Sequence, residues 1–178
     1  INAALDKKGP VHINAPFEEP LYETVTALSI ETKVFASAKV NQTISSTDLA
    51  DFAKIWNNSA RKMVLVGVND PNVVSQKTIQ ALANDTSVVV LTETTSNLHH
   101  PTFINNIDTI ITPFTDQDFT DFRPDVLVTF GGMIVSKRIK AFLRKYQPKH
   151  HWHIDSLRAY DTFGALTKHF EVETNAFF

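Results

Sequence analysis

The sequence contains no cysteine, which excludes disulfides and thiolate metal sites and fits a cytoplasmic protein. It has no apolar run near 18 residues and no signal-like start, so nothing points to membrane insertion or export. It has no basic excess either. Seventeen Lys and Arg stand against nineteen Asp and Glu, a formal charge of -2, which argues against a general nucleic-acid or membrane-surface role. Glycine is scarce, five in all. The turn Val66-Gly67-Val68-Asn69-Asp70-Pro71 holds one of the three glycines a dinucleotide fingerprint needs, and Asn69-Asp70 places a carboxylate where phosphate would sit. A nicotinamide or flavin site is therefore not expected there. No internal repeat, low-complexity tract or nucleophile elbow is present, so no Ser-His-Asp or Cys-His arrangement can be argued.

What is present is an ordinary globular composition, 43% apolar and 20% charged over 178 residues, enough for one well-cored domain. Val11 to Ala15 reads as a short strand closed by Pro16 and Pro20. Residues 21–45 show no periodicity and read as a connector. From Ser46 the pattern is regular. Leu49, Phe52, Ala53 and Trp56 share a helical face with Ser46 or Thr47 as cap. KMVLVGV (62–68) is a buried-type strand ending at Gly67. A helix opening at Pro71 carries Val74, Thr78, Ala81 and Leu82 on one face. Strands follow at 87–91, 108–112, 125–130, 150–154 and 168–173, with a turn or short helix at 99–106 and a helix from Ser136 that buries Ile139, Phe142, Leu143 and Tyr146. All-apolar strands alternating with amphipathic helices imply an α/β fold. It is a Rossmann-like, doubly wound, mostly parallel sheet of five to six strands, with helices on both faces.

Lys137 and Arg138 are the sharpest candidates for a site. Cations at a helix start oppose the dipole unless an anion is held nearby, and an Arg fork beside a Lys suits a carboxylate. The competing reading is two solvated surface cations, because adjacent helical residues point in different directions. Gly131-Gly132, at the carboxyl end of a strand, is either a ligand-approach turn or a plain strand-to-helix turn. His151 and His153 alternate on one strand and His99-His100 are adjacent, but no third ligand is evident and no metal site is assigned. Asp155 reads as a turn cap.

Two segments carry a family resemblance. GPVHINAPFEEPLYE resembles the close of the N-terminal, pyrimidine-binding domain of thiamine-diphosphate enzymes, in the form found in the MenD family of menaquinone biosynthesis. RPDVLVTFGGMIVSKRIKAFLRKY resembles the strand–turn–helix of that family's central domain. The chain opens on Ile1 and is expected to be a fragment of a longer protein. Its parts would be a tail of the N-terminal domain (1–20), a linker (21–45) and a central Rossmann-like domain (46–178). The resemblance implies decarboxylation of 2-oxoglutarate and addition of the succinyl carbanion to isochorismate, with Lys137 and Arg138 meeting a substrate carboxylate. It also implies thiamine diphosphate and Mg2+ in the full-length, homo-oligomeric enzyme. The family's GDG…NN signature and its N-terminal glutamate are absent from these residues. The fragment alone is thus expected to be inactive, with no catalytic, cofactor or metal residue of its own and with neighbouring domains of the same chain as its partners. Two other classes stay open: a free-standing nucleotide or small-anion binding domain, and a structural domain that holds its neighbours together.

Overall fold

In a computed structural model the described residues are 1–19, 22, 24–28, 30–31, 33 and 43–178. Much of the expected connector at 21–45, and Pro20 of the expected tail, lie outside them. The chain divides into two units, Ile1–Asn41 and Gln42–Phe178.

The first unit holds one short helix, α1 (Asn2–Lys7), which ends in the left-handed Lys8 and buries no residue. A six-residue helix without a packed face is held by little, since isolated helices below about 12 residues are marginal in water. The strand expected at Val11 to Ala15 does not form. A strand needs a ladder partner, none is present among the described residues, and Val11 and Ile13 are exposed.

The second unit is built on five parallel strands in the order β2-β1-β3-β4-β5. They are β1 (Lys62–Val66), β2 (Val88–Leu91), β3 (Val126–Phe130), β4 (His150–Ile154) and β5 (Leu166–Phe170). The centre, β1 and β3, is apolar except at Lys62 and Thr129 because both faces are covered. Val64, Val66, Val126, Val128 and Phe130 point to one face, and Met63, Leu65 and Leu127 to the other.

The first face is covered by α2 (Ser46–Asn58), α3 (Gln76–Asn84) and the C-terminal α7 (Thr174–Phe177), with Phe52 4.5 Å from Trp152 and 4.9 Å from Phe177 between ring centroids. The second is covered by α4 (Ile107–Ile111), α5 (Asp116–Phe122) and α6 (Lys137–Lys145). The doubly wound plan is therefore as the sequence implied, at the lower strand number.

Several local expectations change. The strand expected at 108–112 is instead helix α4, which ends at Ile111 with Thr112 as its C-cap: Ile107 and Ile111, four apart, are both buried on one helical face. The cap of α2 is Ser45, whose Oγ accepts from the Asp48 N–H at 3.0 Å, rather than Ser46 or Thr47. Its inner face is Phe52, Ile55 and Trp56, while Leu49 is exposed. Helix α3 starts at Gln76, five residues after Pro71, because Ser75 caps it by accepting from Thr78 N–H at 3.2 Å. Its inner face is accordingly Thr78, Ile79 and Leu82, with Ala81 outside. Helix α5 was not foreseen. Thr115 and Asp118 form a reciprocal capping box at its start, a pattern readable in TDQD. Among the described residues no helix is long and apolar enough to cross a membrane.

Candidate functional site

The carboxyl ends of β1 and β3 meet where the strand order reverses, the place at which open α/β sheets usually bind ligands. Here that place is filled by backbone. Gly67 N–H donates to the Phe130 carbonyl at 2.9 Å, and Gly132 N–H to the Val68 carbonyl at 2.7 Å. A Cβ on Gly67 would stand 2.1 Å from the Gly132 carbonyl oxygen, so glycine is required for this close approach. Gly131 takes φ 80, with Asn69 packed under it. Gly131-Gly132 therefore serves the junction of two turns. The two turns leave no crevice between them.

Helix α6 begins at its cap Ser136, whose Oγ accepts from the Ile139 N–H at 3.1 Å. Ile139, Phe142 and Leu143 bury its inner face, and Tyr146 packs against the same cluster. Lys137 and Arg138 lie in the first turn, exposed, and neither has a hydrogen bond or ion pair to another described residue. Arg138 borders a cavity of about 220 Å3 together with Phe119, Phe142 and Tyr146. At the far end of the helix Asp116 is engaged by Tyr146 Oη at 2.7 Å and Lys145 Nζ at 2.9 Å, which hold its carboxyl below the usual range.

The negative charge at the mouth of α6 comes from a residue that sequence reasoning did not single out. Glu93, just after β2, accepts from Val135 N–H at 2.8 Å and from Ser136 N–H at 2.6 Å, one carboxylate oxygen to each. Asp108 accepts from the Ser136 hydroxyl. A cavity of about 270 Å3 opens beside this mouth between Glu93, Asn105, Asp108 and Ser136. Glu93 donates its own N–H to Ser96 Oγ at 2.9 Å, and the Ser96 hydroxyl donates to the Val66 carbonyl at 2.8 Å. The mouth of α6 is thus tied to the ends of both β1 and β2.

A second cleft, of about 470 Å3, lies at the carboxyl ends of β3 and β4 between Thr129, Met133, His151, His153, Arg158 and Phe163. Thr129, His153 and His169 occupy matched positions on three adjacent strands. Thr129 Oγ1 is 2.9 Å from His151 Nε2 and 2.8 Å from His153 Nδ1. A hydroxyl has one hydrogen, so at least one imidazole donates to it. Burial drives the His151 pKa down to about 4, and the neighbouring His153 adds to the effect; burial also lowers His153. Both are neutral near pH 7. His151 Nδ1 is buried without a hydrogen-bond partner.

His99 and His100 lie in the turn after β2, away from the β4 pair in the fold, and no group of three metal-ligating side chains occurs among the described residues. Asp155 caps the turn after β4, accepting from Leu157 N–H at 2.7 Å and Arg158 N–H at 2.9 Å.

Known proteins resemble this chain along its length. The family model described as "Middle domain of thiamine pyrophosphate" matches residues 28–177. A 2-succinyl-5-enolpyruvyl-6-hydroxy-3-cyclohexene-1-carboxylate synthase of Flavobacterium psychrophilum is 62% identical over 178 residues, covering 100% of this chain and 32% of that protein. The synthase of the same name from Flavobacterium johnsoniae is 59% identical over 179 residues, again 100% of this chain and 32% of the relative. That of Christiangramia forsetii is 52% identical over 174 residues, 94% of this chain and 30% of the relative. The chain therefore spans about a third of the length of these relatives. Five parallel strands in doubly wound order, with a match over residues 28–177, place the chain in the family of thiamine pyrophosphate enzyme middle domains.

Proposed function

We propose that this chain is the central part of a 2-succinyl-5-enolpyruvyl-6-hydroxy-3-cyclohexene-1-carboxylate synthase of menaquinone biosynthesis. The full-length enzyme decarboxylates 2-oxoglutarate and adds the succinyl unit to isochorismate. The observation that carries this reading is 62% identity across the whole chain to a relative of that name. Residues 1–20 are the tail of the preceding pyrimidine-binding domain, 21–45 the linker and 46–178 the central domain. The exposed Leu5, Ile13 and Phe17 in a unit whose helix buries nothing support a tail that packs against a neighbour.

Within that enzyme Lys137 and Arg138 hold a substrate carboxylate. Their head groups are exposed and unpaired among the described residues, and the helix mouth behind them is already neutralised by Glu93, so their charge is left for a ligand. Their contribution is positioning and charge stabilisation.

On this reading the cofactor is held outside the described residues. The crevice between β1 and β3 is closed, and they form no metal-ligating group. Thiamine diphosphate, which supplies the carbanion chemistry, and Mg2+ are held by the rest of the full-length enzyme. On the same reading that enzyme is a cytoplasmic homo-oligomer without nucleic-acid or membrane partners.

The isolated chain, given thiamine diphosphate, Mg2+, 2-oxoglutarate and isochorismate, should release no carbon dioxide; turnover above blank overturns the reading. In the full-length enzyme Arg138→Ala should raise the KM of one substrate roughly tenfold or more. Unchanged KM and kcat/KM for both substrates would return the pair to surface cations.

A further inference from the structure

We propose that Glu93 is a positioning residue for the carboxylate site at Lys137 and Arg138, an inference that rests on the function proposed above. The start of a nine-residue helix such as α6 presents unsatisfied N–H groups that attract any anion. A substrate carboxylate arriving there could settle on the backbone or on the cationic side chains, and these are different positions for the substrate.

Glu93 fixes where the first turn stands. Its two carboxylate oxygens take the N–H groups of Val135 and Ser136 at 2.8 and 2.6 Å. The Ser136 hydroxyl takes the N–H of Ile139 at 3.1 Å, and Asp108 takes the Ser136 hydroxyl in turn. With these groups taken by a fixed protein carboxylate, what is left for an incoming anion is the first turn itself, the N–H groups and side-chain heads of Lys137 and Arg138, which carry no partner among the described residues.

Glu93 is itself immobilised. Ser96, fully buried, accepts its N–H at 2.9 Å and anchors to the Val66 carbonyl at 2.8 Å. The first turn of α6, and with it the two cations, therefore keeps a fixed relation to the ends of β1 and β2. Removing the carboxylate leaves the fold's core intact, because Glu93 stands outside both apolar clusters. It loosens the turn that carries the pair.

The test is a double-mutant cycle in the full-length enzyme, with KM and kcat measured for 2-oxoglutarate and for isochorismate. Glu93→Ala should raise the KM of the substrate that also responds to Arg138→Ala, by roughly tenfold and by more than it lowers kcat. Glu93→Gln, which keeps one acceptor oxygen and loses the charge, should fall between. The double variant Glu93→Ala/Arg138→Ala should show a KM close to that of Arg138→Ala alone, since both act on one contact. If Arg138→Ala raises KM while Glu93→Ala and Glu93→Gln leave it unchanged, or if the two effects multiply, the role of Glu93 is overturned and the carboxylate site stands. If Arg138→Ala itself changes nothing, the site and the role of Glu93 fall together. Should Glu93→Ala not fold, Glu93→Gln alone decides by the same criteria.

Discussion

Two places at the carboxyl edge of one sheet have opposite character. Between β1 and β3 the chain closes on itself: two turns exchange backbone hydrogen bonds, and the absent Cβ of Gly67 is what lets them meet. Between β3 and β4 the edge stays open, and a cleft of about 470 Å3 is floored by Thr129 and the neutral imidazoles of His151 and His153. The strand order alone marks the first place as the ligand site. The residues make it a structural seam and leave the polar groups one strand further on and at the mouth of α6. Topology nominates positions in such a fold, but side-chain volume and hydrogen-bond supply decide which of them can admit a molecule.

The largest effect should come from forcing the seam. Gly67→Ala puts a Cβ 2.1 Å from the Gly132 carbonyl, a backbone atom that cannot swing aside. The variant should lose on the order of 3 kcal/mol or fail to fold, read as a drop in the denaturation midpoint. A midpoint within error of the parent would show that the seam opens easily. At Gly132 the same change meets Val68 atoms at 3.3 and 3.4 Å, so Gly132→Ala should cost under about 1 kcal/mol, and the contrast between the two glycines is the sharper reading.

The open cleft predicts a pH dependence instead. His151 sits near 4 in the fold against about 6.5 in the unfolded chain, so the unfolded state binds the proton first. Stability should be full above pH 6.5 and fall as the pH drops through the window from 6.5 to about 4, by up to about 3 kcal/mol. Carboxylates with lowered pKa, such as Asp116 and Asp118, add their loss only below the ordinary carboxylate range. Chemical denaturation at pH 7, 6, 5 and 4.5 measures the slope, and His151→Gln should flatten it. A flat profile in the parent would mean that His151 is not held neutral by burial.

The smallest effect belongs to Lys137→Ala. It should shift stability by no more than about 0.5 kcal/mol, because the side chain is exposed and engages no described residue. A larger loss would show that Lys137 has a structural partner.

The central strands were legible because a doubly covered strand is apolar at consecutive positions, and 62–66 and 126–130 have no competing helical reading. The run at 107–111 was not, since Ile107 and Ile111 are spaced for a helix while a short apolar run also satisfies a strand; packing under α6 settled it. Lys137 and Arg138 stood out because they contradict the helix dipole locally. Glu93 did not, because the N–H groups that need it lie 42 and 43 residues further along.

Periodicity, capping residues and the missing glycines are local properties, and they determined the doubly wound class, the start of α6 and the lack of a dinucleotide turn. The strand order, the sealing of the switch point and the pairing of Glu93 with the mouth of α6 depend on which distant segments come together. Only the tertiary structure decided those, because a hydrogen bond or a steric clash is fixed by distance in space, which the spacing of residues along the chain does not contain.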